Sequence, residues 1–201
     1  MYIFITNPNA RSGLGHKIWD DIETVLKKRG VTYQVYFTKY QQHATKIVRQ
    51  ITSDHERHNI IVLGGDGTVN EVINGIDCLA NVTLGYIPIG SSNDFARGLG
   101  LPADPLKALE NILAPVRHLA INIGVLEYGD KRRRFSVSTG LGFDAGVCHE
   151  VMVSRLKVFL NKIKLGKLSY AGVALHRMIS LDPKDMTVIM DGTRKLDLPL
   201  P

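Results

Sequence analysis

The sequence predicts an α/β fold, a parallel sheet covered by helices over its N-terminal part, on three observations. Short apolar runs at Tyr2–Thr6, Val31–Thr38, Ile60–Leu63 and Thr83–Pro88 have the length and composition of strands. Between them apolar residues recur at helical spacing: at Ile18, Ile22, Val25 and Leu26, then across Ala44 to Ile51, then at Val69, Val72, Ile73 and Ile76. The third and fourth strands run into turns that open on glycine, Gly64-Gly65-Asp66-Gly67 and, after Ile89, Gly90-Ser91-Ser92-Asn93. Strands that alternate with helices are joined by crossovers, so neighbours run parallel and their loops collect along one edge of the sheet.

The stretch from Ile60 to Gly75 carries the most chemistry. Glycines at 64, 65 and 67 remove the Cβ atoms that would keep backbone N–H groups from a ligand, and the helix behind them offers unpaired N–H groups and its positive dipole end. Phosphate is the natural guest. Asp66 stands inside this cluster, where a carboxylate would repel an anion unless a cation lay between them or a proton had to be moved; that points to Mg²⁺ or acid–base chemistry. As an ordinary strand-to-helix turn, the same stretch would use Asp66 as a helix N-cap. No Gly-Lys-Ser/Thr follows at the spacing of a P-loop.

The order Gly64-Gly-Asp-Gly-Thr68 resembles the nucleotide-binding motif of the diacylglycerol kinase catalytic domain family, lipid kinases similar in this motif to NAD kinases and phosphofructokinases. The resemblance implies that Gly64, Gly65, Asp66, Gly67 and Thr68, with Asn70 and Glu71 on the helix behind, bind ATP and that Asp66 holds Mg²⁺. Upstream, the first strand ends in Asn7-Pro8, and Asn9 to Gly15 reads as a loop of small residues carrying Arg11 and no acid: a second phosphate-facing turn or a plain connection. In the family a similar Asn-Pro…Ser-Gly loop binds the nucleotide, which implies Asn7, Pro8, Ser12 and Gly13 here. Thr38 closes the second strand on the carboxyl edge, where ligands of open α/β sheets gather, and the family uses a threonine there for ATP contact.

Gly90 to Arg97 crowds a glycine, two hydroxyls, an amide, a carboxylate and an arginine at a strand end, and a helix N-cap at Asn93 or Asp94 explains only one of them. The stretch resembles the family motif Gly-Thr-x-Asn-Asp-x-x-Arg, with Ser91 keeping the hydroxyl of the usual threonine. That implies nucleotide contacts from Gly90, Ser91 and Asn93. Asp94 and Arg97, three residues apart on one side of a helix start, could organise metal or substrate and neutralise phosphoryl oxygens respectively.

Beyond a helix from Pro105 to Leu113, the extended run Val116–Gly124 opens a second domain and divides the chain into residues 1–122 and 123–201. The family commonly has Asp-Ile-Gly here, a candidate for the phosphoryl-transfer machinery; this chain has Asn122, an amide of the same shape that can neither act as a base nor hold a cation strongly. Arg132, Arg133 and Arg134 read as a basic hairpin tip or a solvated turn, and Gly142-Phe-Asp144 is similar to a further family motif. Helical periodicity follows over Ala145–Leu165 and Leu168–Ile179, then Asp185–Gly192 alternates into a turn. The resemblance implies a Rossmann-like nucleotide-binding domain, then a partial β-rich sandwich with a helical insertion, with ATP in the cleft between them. Relatives run further, into strands that complete the sandwich, ligate a structural Mg²⁺ and supply an acidic base, so the second domain is expected to be incomplete.

A hydrophobic share of 44% and a charged share of 22% are those of a soluble protein with a core. The N-terminus lacks a basic leader and no apolar run approaches a membrane span, so a cytoplasmic protein is expected. Cys78 and Cys148 form no Cys-x-x-Cys pair, and the adjacent residues Cys148-His149-Glu150 cannot easily share one metal. The net charge of +6 is uneven: 12 basic against 11 acidic residues up to Asn122, then 13 against 8. Without any nucleic-acid-binding signature, the partner expected of that basic surface is an anionic membrane that presents the lipid substrate, with peripheral association. A homodimer stays open. The reading that follows is a lipid kinase that transfers the γ-phosphoryl of Mg-ATP to a hydroxyl such as that of diacylglycerol. Its alternatives are a nucleotide- or lipid-binding homologue without turnover, to which Asn122 would point, and a kinase for another acceptor such as NAD.

Overall fold

Each apolar run of the N-terminal part becomes a strand of one parallel sheet in the computed structural model, which describes residues 1–140, 145 and 184–200. The strands are β1 (Tyr2–Thr6), β2 (Tyr33–Phe37), β3 (His58–Gly64) and β4 (Val82–Pro88), in the order β2-β1-β3-β4. The helices are α1 (Ala10–Gly13), α2 (Gly15–Lys28), α3 (His43–Thr52), α4 (Asp66–Gly75), α5 (Asp94–Gly98) and α6 (Pro105–Leu113). Asp104 accepts a hydrogen bond from the Lys107 N–H at 2.8 Å and Pro105 takes the first helical position, which together start α6 where the sequence places it.

Strand periodicity explains the layering. Along β1 and β3, Ile3, Ile5, Ile60 and Val62 pack with Ala44 and Val48 of α3 and Val69, Val72 and Ile73 of α4. The alternate residues Phe4, Ile61 and Leu63 pack with Trp19, Ile22 and Leu26 of α2 and with Ala108 and Leu109 of α6. Both faces are therefore covered, which is why Ile60 to Leu63 reads as an unbroken apolar run and not an alternating one. Full burial of each such side chain contributes about 1.5–3 kcal/mol.

Three local expectations are corrected. Asn9–Gly15 is not a plain loop: Ala10–Gly13 closes a single helical turn, because the Asn7 side chain accepts the Asn9 N–H at 3.0 Å and the Asn7 carbonyl accepts the Ala10 N–H at 3.2 Å. The inner face of α2 is centred on Trp19, which is 3% exposed, while Ile18 and Val25 lie at its margin. Arg132 to Arg134 are not a hairpin tip; β5 (Gly124–Tyr128) pairs antiparallel with β6 (Lys131–Phe135), and the turn falls at Gly129-Asp130, where φ of Gly129 is +52°. Glycine is the residue that accepts that conformation at least cost, so it and not the arginines fixes the register.

The chain divides into two compact units, Met1–Ser138 and Thr139–Pro201, and the β5–β6 hairpin belongs to the first. In the second, β7 (Lys184–Met190) pairs antiparallel with β8 (Arg194–Leu200). β7 follows the alternation seen from Asp185; β8 adds a strand the sequence reading did not mark, and its Pro199 is tolerated because among the described residues each of the two strands is an edge. The helical periodicities over residues 145–179, the Gly142-Phe-Asp144 motif and Cys148-His149-Glu150 lie outside the described residues, Ala145 apart. Among the described residues no helix is long and apolar enough to cross a membrane.

Candidate functional site

The strand order makes the chain leave β1 toward β2 on one side and pass β3 to β4 on the other, so the connections after β1 and β3 diverge. Open α/β sheets bind ligands at such a switch point, outside the carboxyl ends of the strands. The ladders continue past the strand ends and hold the loops in register: the Thr38 N–H donates to the Thr6 carbonyl at 2.8 Å, Asn7 N–H to Leu63 at 2.9 Å, and Ile89 N–H to Gly64 at 2.9 Å. Across the switch point, Asn7 Nδ2 donates to Thr68 Oγ1 at 3.4 Å, tying the β1 loop to the first turn of α4.

Gly65 and Gly67 have different surroundings. A Cβ on Gly65 would lie 3.1 Å from the Gly90 Cα, and one on Gly90 would lie 2.6 Å from the Gly65 Cα, so the two glycine turns pack backbone to backbone. At Gly67 a Cβ would meet nothing within 4 Å, and the residue is exposed. This open position at the start of α4 fits a phosphate group: the N–H groups of Asp66 and Gly67 precede the first intrahelical bonds, which run from Thr68 and Val69 to the Gly65 carbonyl.

Asp66 reaches the second motif. Its two carboxylate oxygens accept the N–H groups of Asp94 (2.9 Å) and Phe95 (3.2 Å), so the acid of one motif caps the helix of the other. Asn93 precedes that helix in the left-handed region (φ 52°) and gives it no side-chain cap. Its amide instead closes the turn, accepting the Gly90 N–H at 2.9 Å and donating to the Gly90 carbonyl at 3.0 Å. Asp94 pairs with Arg97, and both project toward solvent, as do Ser91 and Ser92. Capping leaves each Asp66 oxygen one further lone pair, and the Asp94 carboxylate is partly exposed; these two could hold Mg²⁺, a cation that typically takes only one or two protein carboxylates beside phosphate. Among the described residues no three His, Cys, Asp or Glu side chains cluster as a ready-made metal site.

The other candidates are dispersed around this centre. Pro8 leads into α1, which contains Ser12 and ends at Gly13 with φ +93°; Thr38 lies at the end of β2, 9% exposed. Glu71 points to α3, its carboxylate accepting the Ala44 N–H at 3.2 Å while its carbonyl accepts the Thr45 hydroxyl at 2.8 Å. The Asn70 carbonyl accepts from Asn74 at 2.7 Å. Asn122 is exposed in the segment before β5.

Two side chains were not singled out by the sequence, Tyr86 beneath this centre and Asn74 on α4, and a third, Arg134, has a role the sequence did not show. Tyr86, 4% exposed in β4, donates its hydroxyl to Asn93 Oδ1 at 3.2 Å. Burial first, then the negative charge of Asp66, holds its phenol protonated well above the usual tyrosine range. Asn74 exchanges two hydrogen bonds with the Arg134 backbone (2.8 and 2.9 Å), and the Arg134 guanidinium caps the far end of α4 by donating to the carbonyls of Ile73 (2.9 Å) and Ile76.

Known proteins similar to this chain share one family. The family model of the diacylglycerol kinase catalytic domain matches residues 1–124. A diacylglycerol kinase of Bacillus subtilis (strain 168) is 38% identical over 190 residues, 94% of this chain and 59% of that protein. One from Staphylococcus carnosus (strain TM300) is 30% identical over 190 residues, 94% and 58% respectively. A diacylglycerol kinase crystal structure from Bacillus anthracis str. Sterne is 34% identical and covers 55% of this chain and 40% of that one, with a TM-score of 0.46. The chain thus spans about three fifths of the length of the curated relatives it matches. With more than half of its residues matched by the family model, the chain belongs to the diacylglycerol kinase catalytic domain family.

Proposed function

We propose that this chain carries the nucleotide-binding machinery of an ATP-dependent lipid kinase that transfers the γ-phosphoryl of Mg-ATP to a lipid hydroxyl such as that of diacylglycerol. The observation that carries the reading is the open Gly67 position at the β1/β3 switch point, with interlocked turns on either side. Two relatives that align over most of this chain bear the name diacylglycerol kinase, and the acceptor is taken from them.

In this reading the N–H groups of Asp66 and Gly67 bind a phosphate, and Asn7 and Thr68 hold the wall of the crevice. Arg97 neutralises charge on the phosphoryl group in flight, held near the turn by Asp94. Mg²⁺, when bound, supplies charge neutralisation between phosphate oxygens, and Asp66 and Asp94 are the residues that would hold it. Asn122 cannot take a proton from the acceptor, and that observation favours the second reading, a nucleotide-binding homologue with little turnover.

The test is titration with Mg-ATP together with ATP turnover measured with and without diacylglycerol. Gly67→Ala should weaken Mg-ATP binding at least about tenfold, a change of about 1.4 kcal/mol. Its stability should rise by about 0.5 kcal/mol, because alanine is the better helix former. Gly65→Val is the poorer probe, since its side chain meets Gly90 before it meets any ligand. Undiminished affinity in Gly67→Ala would sink the phosphate assignment; binding without diacylglycerol-dependent turnover would select the second reading.

The membrane reading now rests on β6, the second strand of the hairpin. Lys131, Arg132 and Arg133 are exposed beside Val125, Leu126 and Tyr128, and Lys131 Nζ stands 5.9 Å from the Tyr128 ring centre. Replacing Lys131, Arg132 and Arg133 by Ser, with Arg134 left in place, should reduce co-sedimentation with anionic vesicles, and salt should reduce it further. Equal binding to neutral vesicles would count against the electrostatic attraction.

A further inference from the structure

The turn after β4 is held from beneath by a residue that no motif contains. We propose that Tyr86 is a positioning residue for the phosphate-facing turns: its buried hydroxyl holds Asn93, and through Asn93 it fixes Gly90 against Gly65. The inference rests on the reading of the crevice as a phosphate site and deepens it.

Every link is a direct contact. Asn93 adopts a left-handed backbone, which a non-glycine residue takes up at a cost, so something must hold it there. Its amide accepts the Gly90 N–H and donates to the Gly90 carbonyl, and the second lone pair of Oδ1 receives the Tyr86 hydroxyl at 3.2 Å. Gly90 in turn has its Cα against Gly65, the residue just before α4. From the other side, Asp66 in the first turn of α4 takes the Asp94 and Phe95 N–H groups. The two turns therefore interlock at two points, and Asn93 stands between them with Asp94 next in sequence. Tyr86 is the group that anchors Asn93 to the sheet. Asp66 explains why the phenol stays a donor: ionisation beside that carboxylate, in a buried place, is doubly opposed.

A buried tyrosine usually finds some partner for its hydroxyl, so a hydrogen bond alone would not mark Tyr86 out. What marks it is the partner, whose two remaining bonds define the turn. An aliphatic residue of similar bulk would fill the space and leave Asn93 Oδ1 with one donor.

The experiment compares wild type, Tyr86→Phe and Phe95→Leu. The last perturbs the same apolar cluster, in which the Tyr86 and Phe95 rings lie 6.0 Å apart, without removing the hydroxyl. Amide hydrogen exchange at Gly90 and titration with Mg-ATP are the readouts. Tyr86→Phe should stay folded, exchange the Gly90 amide about 3- to 10-fold faster and bind Mg-ATP weaker by a similar factor, the worth of one ordinary hydrogen bond. Phe95→Leu should lower the melting temperature while Gly90 protection, relative to global unfolding, and affinity stay as in wild type. Unchanged Gly90 protection in folded Tyr86→Phe would overturn the proposal, as would unchanged affinity with a loosened turn. If the wild type bound no Mg-ATP, the phosphate reading would fail, and the exchange result would still decide whether Tyr86 holds the turn.

Discussion

The N-terminus of α4 leaves backbone donors facing solvent at an exposed glycine, whereas its C-terminus is covered by an arginine brought from sixty residues away. Both ends start from the same deficit, because every helix has unpaired N–H groups at one end and unpaired carbonyls at the other. At the C-terminus the Arg134 guanidinium meets the carbonyls of Ile73 and Ile76, and its positive charge also suits the negative end of the helix dipole. At the N-terminus the acid that could have capped α4, Asp66, turns instead to cap α5. The contrast teaches where to look for a ligand: one end of this helix is finished by a side chain of the chain itself, and the end at the switch point of the sheet is not.

The largest effect expected from breaking that contrast is at the closed end. Arg134→Ala would uncap two carbonyls and remove charge-assisted bonds, costing about 2–3 kcal/mol of stability in denaturant unfolding. Affinity for Mg-ATP should stay within about twofold, because nothing at the crevice is altered. Gly67→Ala should do the reverse, and the two variants together separate holding the helix from binding at it. A large affinity loss in Arg134→Ala would mean that the two ends are coupled through α4.

Much of this was legible in the sequence, for identifiable reasons. Ile60 to Leu63 announced a central strand because a strand buried on both faces must be apolar throughout, and Pro105 announced α6 because a proline suits the first turn of a helix. The glycine turns were legible as loops that could approach a ligand, but Gly65 and Gly67 look alike in sequence; only the fold brings Gly90 against one and leaves the other open. Arg134 was indistinguishable from Arg132 and Arg133 until pairing with β5 set its register, with Arg132 on Glu127 at 3.2 Å and Arg134 on α4. Glu71 matched a nucleotide motif while its carboxylate meets α3, and the Tyr86 hydroxyl is hidden in what reads as an ordinary strand residue. Contacts that span the sheet were the illegible part.

A smaller effect sharpens the comparison at the carboxyl edge of the sheet. Thr6 is fully buried at the end of β1, and its Oγ1 has no hydrogen-bond partner among the described residues. An unpaired buried hydroxyl costs more than an apolar group of the same shape, so Thr6→Val should raise stability by about 1 kcal/mol. A loss of stability instead would show that the hydroxyl is paired in solution, through a water or through the adjoining crevice.

The smallest effect concerns the group beneath the open end, and its sign follows from linkage. The Tyr86 phenol is held above its ordinary value of about 10 by burial and by Asp66, so the folded protein keeps a proton that the unfolded chain gives up. Its contribution to stability is complete below that ordinary value and is lost as pH rises through the interval up to the folded one. Wild type should therefore lose stability between pH 9 and 10.5 faster than Tyr86→Phe, which has no proton to lose. With one proton at stake the slope cannot exceed about 1.4 kcal/mol per pH unit, and at about pH 10.5 the difference should reach roughly 0.8 kcal/mol. Other tyrosines titrate in the same interval, Tyr33 among them, which is itself raised by burial and by its bond to Glu23. They are common to both proteins and cancel in the comparison. Parallel stability curves for wild type and Tyr86→Phe over that interval would mean that the phenol ionises in the fold as readily as in the open chain, and that it is not the closed-in donor that the turn after β4 requires.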